Sequence, residues 1–473
     1  VTYSGYQVQE NMHVPTCYPG IVKIHAEQLP PTPSKWKSVK IPEGAVKVDL
    51  QHALLTKPGF SDRALPRKDF KVEDLKKLDW PAAKCFSHAL GGIACSGARP
   101  MVSAKTGYVS GKALLGRVYR VPKDKPWGGT GPREGVWRKA WEFVDELLPD
   151  FTAEPMTIDE WLESMPSRRR KILAKAAAKQ AKRPWREVYR KFSSFIKVEL
   201  LPGFDKSKYG LVRLETMLDR LIQGPADETH CIAGKYLKPL TQRLKELWSA
   251  DKPLFYGSTT PQRLHQWLQS FLVDGAKQYF WCDFSMFDNT HSDDSWDFME
   301  KLYRRAGIDD PLFWRVMEAW RRPTGKIGPF KYRANVMNAS GRDDTALANG
   351  ILNGFATYLS ACAAWLEKDL MELTVTDVRK CSGVITLSVC GDDSLGSLPP
   401  VSEERMAKWR QDVAANVAMF GFETKLNSSQ KLYDAVYLGM RPYPTRGGWF
   451  WGKTIGRATY KLGWCLLAPD RDI

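Results

Sequence analysis

The sequence predicts an α+β protein in which short antiparallel strands form a sheet backed by helices. Three stretches predict it. The run ITLSVC-GDD-SLGSL places apolar residues on both sides of Gly391-Asp392-Asp393 and reads as a β-hairpin. A second apolar run, AKQYFWCDF, reads as a neighbouring strand with Asp283 at its end. Helical periodicity fills much of the chain around them, at 233–274, 293–305, 311–321 and in SEERMAKWRQDVAANVAMFG.

The hairpin is the stretch around which the rest is organised. Two adjacent carboxylates on an apolar hairpin are unfavourable unless they meet a cation or a basic partner. Gly391 supplies the backbone freedom that such a tip needs. Taken alone, the feature reads better as a surface hairpin with an acidic turn. The acids upstream, at matching intervals, are what give it meaning.

Composition sets the background. At 473 residues the chain exceeds a single ordinary core, so two or three subdomains are expected. Hydrophobic residues at 43% and charged residues at 26% exclude global disorder. Seventy Lys and Arg against 53 Asp and Glu give a net charge of +17, which points to a polyanionic partner, either nucleic acid or an anionic membrane. The nine Cys show no C-x-x-C spacing and read as reduced thiols of an intracellular protein, with His230-Cys231 a bare hint of zinc. No run approaches the roughly 18 apolar residues of a membrane span.

Taken in order, residues 1–80 are rich in Pro and polar residues and read as an extended arm. Residues 84–115 are rich in Gly and Ser and read as loops. Helical pattern runs from Pro132 to Glu163, where Thr157 and Glu160 fit a capping box. SRRRKILAKAAAKQAKRPWR, at 167–186, reads as a helix with bases spread round it rather than paired to acids. It is either a solvated face or a rail for RNA phosphates or triphosphates. FIKVE and RLIQ then read as a strand–loop–strand unit that carries Lys197, Glu199 and Arg220.

Asp288 follows Asp283 by five residues, where the strand gives way to a turn or helix start. In NASGRDDTALANGILNGFAT, Ser340-Gly341 begins a loop, and Asp343 and Asp344 can serve the first turn of a helix. That helix carries Thr345, Asn349 and Asn353 on one face. Lys425 lies in FETKLNSSQKL, and YDAVYLGMRPYP reads as a short hairpin around Tyr437-Leu438-Gly439. Carboxylates from two neighbouring strands are hard oxygen ligands suited to Mg²⁺, and phosphoryl transfer from a nucleoside triphosphate uses two such ions.

Four signatures in this order resemble the viral RNA-dependent RNA polymerases, specifically the tombusvirus-like and carmovirus-like group of positive-strand RNA viruses. Asp-x-Ser-x-Phe-Asp at 283–288 resembles motif A, and Ser-Gly-x-x-x-Thr-x-x-x-Asn at 340–349 resembles motif B. Gly-Asp-Asp at 391–393 resembles motif C, and FIKVE with RLIQ resembles motif F. The resemblance covers residues 190–445. It implies a right-hand polymerase: N-terminal arm and fingers over 1–235, palm over 236–292, a fingers insertion over 293–335, palm again over 336–445, and a short or truncated thumb over 446–473.

The resemblance also implies roles. Asp283 and Asp392 would be the principal ligands of two Mg²⁺ ions, for which Mn²⁺ can substitute, with Asp393 auxiliary. Asp288, Asn349 and Thr345 would read the ribose 2′-hydroxyl, and Ser340 and Gly341 would lie along the template and entering nucleotide. Lys197 and Arg220 would grip the triphosphate, with Glu199 orienting them. Lys425 or Lys431 would protonate the leaving pyrophosphate, and Tyr437-Leu438-Gly439 resembles the primer-grip hairpin. The implied partners are template and nascent RNA, ribonucleoside triphosphates, other viral replicase proteins and an anionic membrane surface. The implied location is a membrane-associated replication complex in the host cytoplasm.

The chain departs from the group at Arg342-Asp343-Asp344, and at Gly224-Pro225, where Pro then Arg is usual. A reverse transcriptase would lack the sugar-reading pair Asp288 and Asn349. A metal-dependent nuclease would not need the Thr/Asn helix. A catalytically silent RNA-binding scaffold would not need all three acids together with the phosphate-gripping bases.

Overall fold

The computed structural model describes residues 110, 113–114, 116–118, 125–129, 131–197, 220–257, 261–273, 275, 277–327 and 330–454. It also describes two-residue strands at 2–3, 6–7, 88–89, 101–102, 200–201 and 464–465. Its longer elements run α1 Val136–Trp141, α2 Val144–Leu147, α3 Ile158–Glu163, α4 Ser167–Lys182, β1 Lys191–Ile196, β2 Leu221–Gly224, α5 Asp227–Leu247, β3 Leu254–Tyr256 and α6 Pro261–Trp267. They continue with β4 Gln278–Phe284, α7 Asp293–Arg305, α8 Pro311–Arg321, β5 Thr324–Ile327, β6 Phe330–Arg333, α9 Thr345–Leu366 and α10 Val375–Ser382. The last are β7 Thr386–Cys390, β8 Asp393–Leu398, α11 Glu403–Met419, β9 Thr424–Ser429, β10 Met440–Thr445 and β11 Gly448–Lys453.

Two sheets organise these elements. A five-stranded sheet has the order β9-β4-β8-β7-β3, and a four-stranded sheet has the order β6-β5-β1-β2. In the first, β9, β4, β8 and β7 are antiparallel neighbours, while β3 pairs parallel with β7. The sheet is therefore mixed, not purely antiparallel. Its parallel edge is a strand of three residues inside a stretch that the pattern assigned to helix. Three apolar residues carry no periodicity, so only pairing with β7 defines them.

Alternation along β4 sends its two faces to different cores. Phe280, Cys282 and Phe284 join the large core that also holds residues of α5, α9 and α11. Tyr279, on the opposite face, joins a smaller core built from α6 and the following π-turn, Tyr437 and Trp451. Asp283 lies on this second face, past the end of that apolar cover, and is exposed. The largest helix, α9, is buried at every position from Leu347 to Ala364 and forms the axis of the large core.

Residues of α7 and α8 pack into the same core as α9, through Trp296, Phe298, Phe313 and Trp320. The four-stranded sheet unites β1 and β2 with the β5–β6 hairpin about a hundred positions later in sequence. Helix α5 begins at Asp227 rather than at 233, with Asp227 and Glu228 in its positive first turn.

Those two acids also correct the reading of the basic helix. Arg169 of α4 pairs with Asp227 at 2.7 Å, and Lys179 pairs with Glu228. Leu173 and Ala176 of α4 pack beside Trp161 and Cys231. The docked face of α4 is thus neutralised, while Arg168, Lys171, Lys175 and Lys182 remain exposed. The Thr157–Glu160 capping box forms as expected, with Glu160 N–H donating to the Thr157 hydroxyl and Thr157 N–H to the Glu160 carboxylate.

Candidate active site

Asp392 reaches the site through a two-residue turn. Cys390 pairs with Asp393, so Gly391 and Asp392 are the tip. Gly391 has φ 62°, the left-handed conformation that the first central position of such a turn requires. Asp392 and Asp393 therefore do not share the tip: Asp393 is the first residue of β8. Both side chains are exposed. The Asp392 carboxyl is nonetheless pushed up by the protein packed around it and by the charge of Asp283, while the Arg220 guanidinium pulls it down. Asp283, Asp392 and Arg220 thus meet in one electrostatic neighbourhood, although they come from three separate elements.

Asp288 belongs to the same neighbourhood. Met286, with φ 54°, breaks β4 and leads into a 3₁₀ turn at Phe287–Asn289. The Phe287 ring stacks on Phe422 with centroids 4.3 Å apart, anchoring the turn. Asn349 of α9 donates from its side-chain nitrogen to the Asp288 carboxylate at 2.6 Å. Its amide oxygen accepts from His291 Nε2 at 3.0 Å and from Asn338 Nδ2 at 2.6 Å. These contacts fix which way the Asn349 amide points and require a proton on His291 Nε2. Burial pushes the Asp288 carboxyl up to about 6. The Asn349 hydrogen bond opposes this, Asp392 adds to it, and Arg117 and Arg342 oppose it. The buried His291 is held neutral, its value lowered to about 3 by burial and by the Arg342 charge, against the Asn349 hydrogen bond.

The loop before α9 is seated on β2. Gln223 N–H donates to the Ser340 carbonyl at 2.7 Å. Gly341 has φ 128°, and a Cβ there would sit 2.6 Å from the Gln223 carbonyl oxygen, so backbone meets backbone with no room between. The acids that follow do not cap the helix, which lacks a side-chain cap hydrogen bond. Asp344 instead pairs with Arg342 at 2.5 Å, and both are buried. The Arg342 guanidinium lies 4.3 Å from the Trp296 ring and 5.2 Å from Trp320, and the Tyr303 hydroxyl donates to Asp344. The buried pair prefers these ring and hydroxyl partners to a helix end. Asp343 pairs with His230 Nδ1 at 2.9 Å, whereas Cys231 Sγ donates to the Leu173 carbonyl. His230 and Cys231 therefore face different neighbours.

The polar stripe on α9 is the frame of the site. Thr345 donates to the Ala339 and Arg342 carbonyls and so closes the loop rather than pointing freely into a cleft. Asn353 donates to the carbonyls of Gly391 and Asp393 at 3.0 and 3.3 Å, and its own oxygen accepts from Thr357. One helix face therefore holds the Asp288 turn, the Ser340–Gly341 loop and the Asp392 turn together.

The bases fall into two groups. Lys197 N–H donates to the Arg220 carbonyl at 2.8 Å, which places both residues at the same end of the β1–β2 pair. Lys197 lies one residue past the strand, and Glu199 falls outside the described residues. Lys425 is the cross-strand partner of Asp283, on the same sheet face and exposed. Lys431 is also exposed, past the end of β9, where its N–H donates to the Ser429 hydroxyl. The register thus favours Lys425 as the lysine beside Asp283. Leu438 and Gly439, both with positive φ, form a tight turn, and the buried Tyr437 accepts a hydrogen bond from Ser388 of β7 at 2.8 Å.

Comparison with known proteins adds a coarse placement. No protein-family model matches the chain. A stretch of 216 residues is 26% identical to the replicase large subunit of Youcai mosaic virus. The match covers 42% of this chain and spans 12% of that protein's length. The chain is similar to part of a viral replicase. This similarity does not single out the tombusvirus-like and carmovirus-like group.

Sequence reasoning missed His291, Asn338, Asn353 as a clamp, and Arg117. His291 stands three residues after Asp288 and Asn338 two before Ser340, so proximity to the motifs was a usable signal. Arg117 had none. Among the described residues no three His, Cys, Asp or Glu side chains form a ready-made metal cage. Mg²⁺ does not need one, because it binds through one or two carboxylates and completes its shell with waters and substrate phosphates. Asp283 and Asp392, both exposed, with the charge of Asp283 raising the Asp392 carboxyl, are a donor set of that kind.

Proposed function

We propose that this chain is an RNA-dependent RNA polymerase that copies a viral RNA genome from ribonucleoside triphosphates. The observation that carries the reading is the placing of Asp283 and the Gly391–Asp392 turn at the same end of the adjacent strands β4 and β8, with the Asp288–Asn349 pair after β4. In this reading the five-stranded sheet with α9 and α11 is the palm, and the four-stranded sheet belongs to the fingers. Similarity to part of a viral replicase supports the setting.

Asp283 and Asp392 would hold Mg²⁺, with Asp393 within reach as a further carboxylate. The bound ions supply charge neutralisation at the attacking and leaving oxygens. Arg220 and Lys197 bind and orient the triphosphate from the β1–β2 end. The 3′-hydroxyl of the growing strand gives up its proton to solvent as its oxygen bonds to the α-phosphorus, the bond from that phosphorus to the bridging oxygen breaks, and pyrophosphate leaves. Lys425, beside Asp283, donates a proton to that leaving group. Asp288, held by Asn349, accepts from the ribose 2′-hydroxyl. A site built to hydrogen-bond a hydroxyl rejects the analogue lacking it by about 10⁴-fold or more.

The test is RNA-templated incorporation of labelled ribonucleotides with Mg²⁺ or Mn²⁺, beside deoxynucleotides and the Asp392→Ala variant. Template-dependent product that vanishes in the variant and prefers ribonucleotides is the expected result. A product that survives Asp392→Ala refutes the site. RNA binding without synthesis by the unaltered chain favours a scaffold instead.

A further inference from the structure

Glu423 and Lys425 stand two residues apart at the start of β9. Phe422 and Thr424 alternate with them, and the buried Phe422 ring meets Phe284 in the large core. Alternation therefore sends Glu423 and Lys425 to the opposite face, the one that carries Asp283. Ser285 N–H donates to the Glu423 carbonyl at 2.9 Å, which extends the β4–β9 ladder by one rung and holds Glu423 in line. Same-face neighbours on a strand are about 6.6 Å apart, at about 3.3 Å per residue. The long Lys425 stem can span that distance to the Glu423 carboxylate.

The two do not pair. Lys425 is exposed, and among the described residues it forms no ion pair. Glu423 instead meets Lys125, whose Nζ lies 3.7 Å from the carboxylate and whose side chain is only 6% exposed. Lysines are rarely buried unless paired. Burial lowers the Lys125 amine from the ordinary lysine value, and Glu423 opposes that shift.

The strap that carries Lys125 keeps it in place. Its N–H donates to the Gly129 carbonyl at 2.7 Å, and Gly128 N–H donates to the Lys125 carbonyl at 2.9 Å. Gly128 and Gly129, with φ 87° and 73°, supply the tight turn that these bonds need. Arg133 N–H then donates to the Met419 carbonyl at the end of α11. Pro132 sits against Gly421, where an added Cβ would lie 3.2 Å from its nitrogen. The strap is thus pinned across the turn that leads from α11 into β9.

We propose that Lys125 is a positioning residue for Lys425: by engaging Glu423 from the strap, it keeps that carboxylate from drawing in Lys425 and leaves the ammonium facing Asp283 and the ligand. The inference rests on the function proposed above, in which Lys425 protonates the departing pyrophosphate. A nearby carboxylate stabilises an ammonium, so a Lys425 paired with Glu423 is a poorer proton donor and is turned from the leaving group. Lys125 acts only through Glu423 in this arrangement.

Two readouts test it, one of them independent of catalysis. The first is trace acetylation of the full chain with acetic anhydride at fixed pH, the Lys425 peptide being quantified by mass spectrometry. The second is kcat and KM for nucleotide incorporation. The variants are Lys125→Met, Lys125→Gln, Lys125→Arg, Glu423→Gln and Lys125→Met/Glu423→Gln, each checked by circular dichroism for an unchanged fold. Lys125→Met and Lys125→Gln slow Lys425 acetylation about threefold, the size of a partly exposed ion pair, and lower kcat by a similar factor with KM unchanged. Lys125→Arg keeps the pairing and matches the unaltered chain, as does Glu423→Gln, and the double variant regains both rates. Unchanged Lys425 acetylation in Lys125→Met and Lys125→Gln overturns the proposal, and so does a slowed rate that the double variant fails to restore. Slowed acetylation with kcat intact also overturns it, because Lys425 then need not be free. The expected acetylation pattern with no incorporation by the unaltered chain refutes the proposed function and leaves the hold of Lys125 on Glu423 standing.

Discussion

Asn353 offers the sharpest test of how the Asp392 turn is held. The residue is fully buried, and its side chain makes three hydrogen bonds: two given to the Gly391 and Asp393 carbonyls and one accepted from Thr357. Asn353→Leu keeps the volume and removes all three. A buried polar group left without a partner costs about 1–3 kcal/mol. Thr357 is fully buried and the two carbonyls lie at the turn, so losing all three bonds is expected to cost about 2–4 kcal/mol. Thr357→Val removes one bond and leaves the clamp in place, for about 1 kcal/mol. Asn353→Asp is worse than either, because a carboxylate cannot donate to the carbonyls and adds a further negative charge near Asp392. Urea unfolding followed by tryptophan fluorescence gives the stabilities, and nucleotide incorporation gives kcat and KM. A displaced turn lowers kcat more than it raises KM. If Asn353→Leu matches the unaltered chain in both stability and kcat, the turn is held by its hairpin alone and the clamp is refuted.

Gly341→Ala places a Cβ against the Gln223 carbonyl at a φ that L-residues rarely adopt, so incorporation should fall at least tenfold and stability by roughly 2 kcal/mol or more. Normal activity in that variant would show that the loop does not sit on β2 during turnover. His291 has a folded value lowered to about 3 against an unfolded value near 6.5, so the unfolded chain binds more protons between them. Its contribution is therefore fully present above about 6.5 and is lost as pH falls, by up to about 2 kcal/mol at pH 5. Asp288, raised to about 6, acts with the opposite sign between about 4 and 6. The difference between the unaltered chain and His291→Gln isolates the histidine: the variant's stability should fall less steeply from pH 6.5 to 5. Identical slopes in urea titrations would remove His291 from the network.

The parts of this architecture that were legible in the sequence are those fixed by local pattern. Helices Asp293–Arg305 and Pro311–Arg321, the Thr157 capping box and the hairpin around Gly391 all follow from spacing and end residues within one element. What stayed hidden depends on partners distant in sequence. Leu254–Tyr256 is a strand because β7 lies beside it. The acids of Arg342-Asp343-Asp344 look like helix-capping residues until Trp296, Trp320 and His230 arrive from three other helices. Asn353 was visible as part of a stripe, but its clamp on Gly391 and Asp393 requires knowing which hairpin α9 packs under.

The division of labour around the site follows from electrostatics. Asp283, Asp392 and Asp393 stay exposed, and the charge of Asp283 raises the Asp392 carboxyl. Their positions must then be fixed by groups that add no charge. Asn349, Asn353, Thr345 and Thr357 do this, each an amide or hydroxyl with its partners satisfied inside a buried helix face. A charged residue in any of those places would bind the acids directly and compete with the ligand. The Arg342–Asp344 pair obeys the same rule, since its charges cancel within the core while the guanidinium still offsets the cost of burying Asp288. Removing charge from the frame and leaving it on the acids and on Arg220 lets the net +17 of the chain act on the ligand rather than on the site.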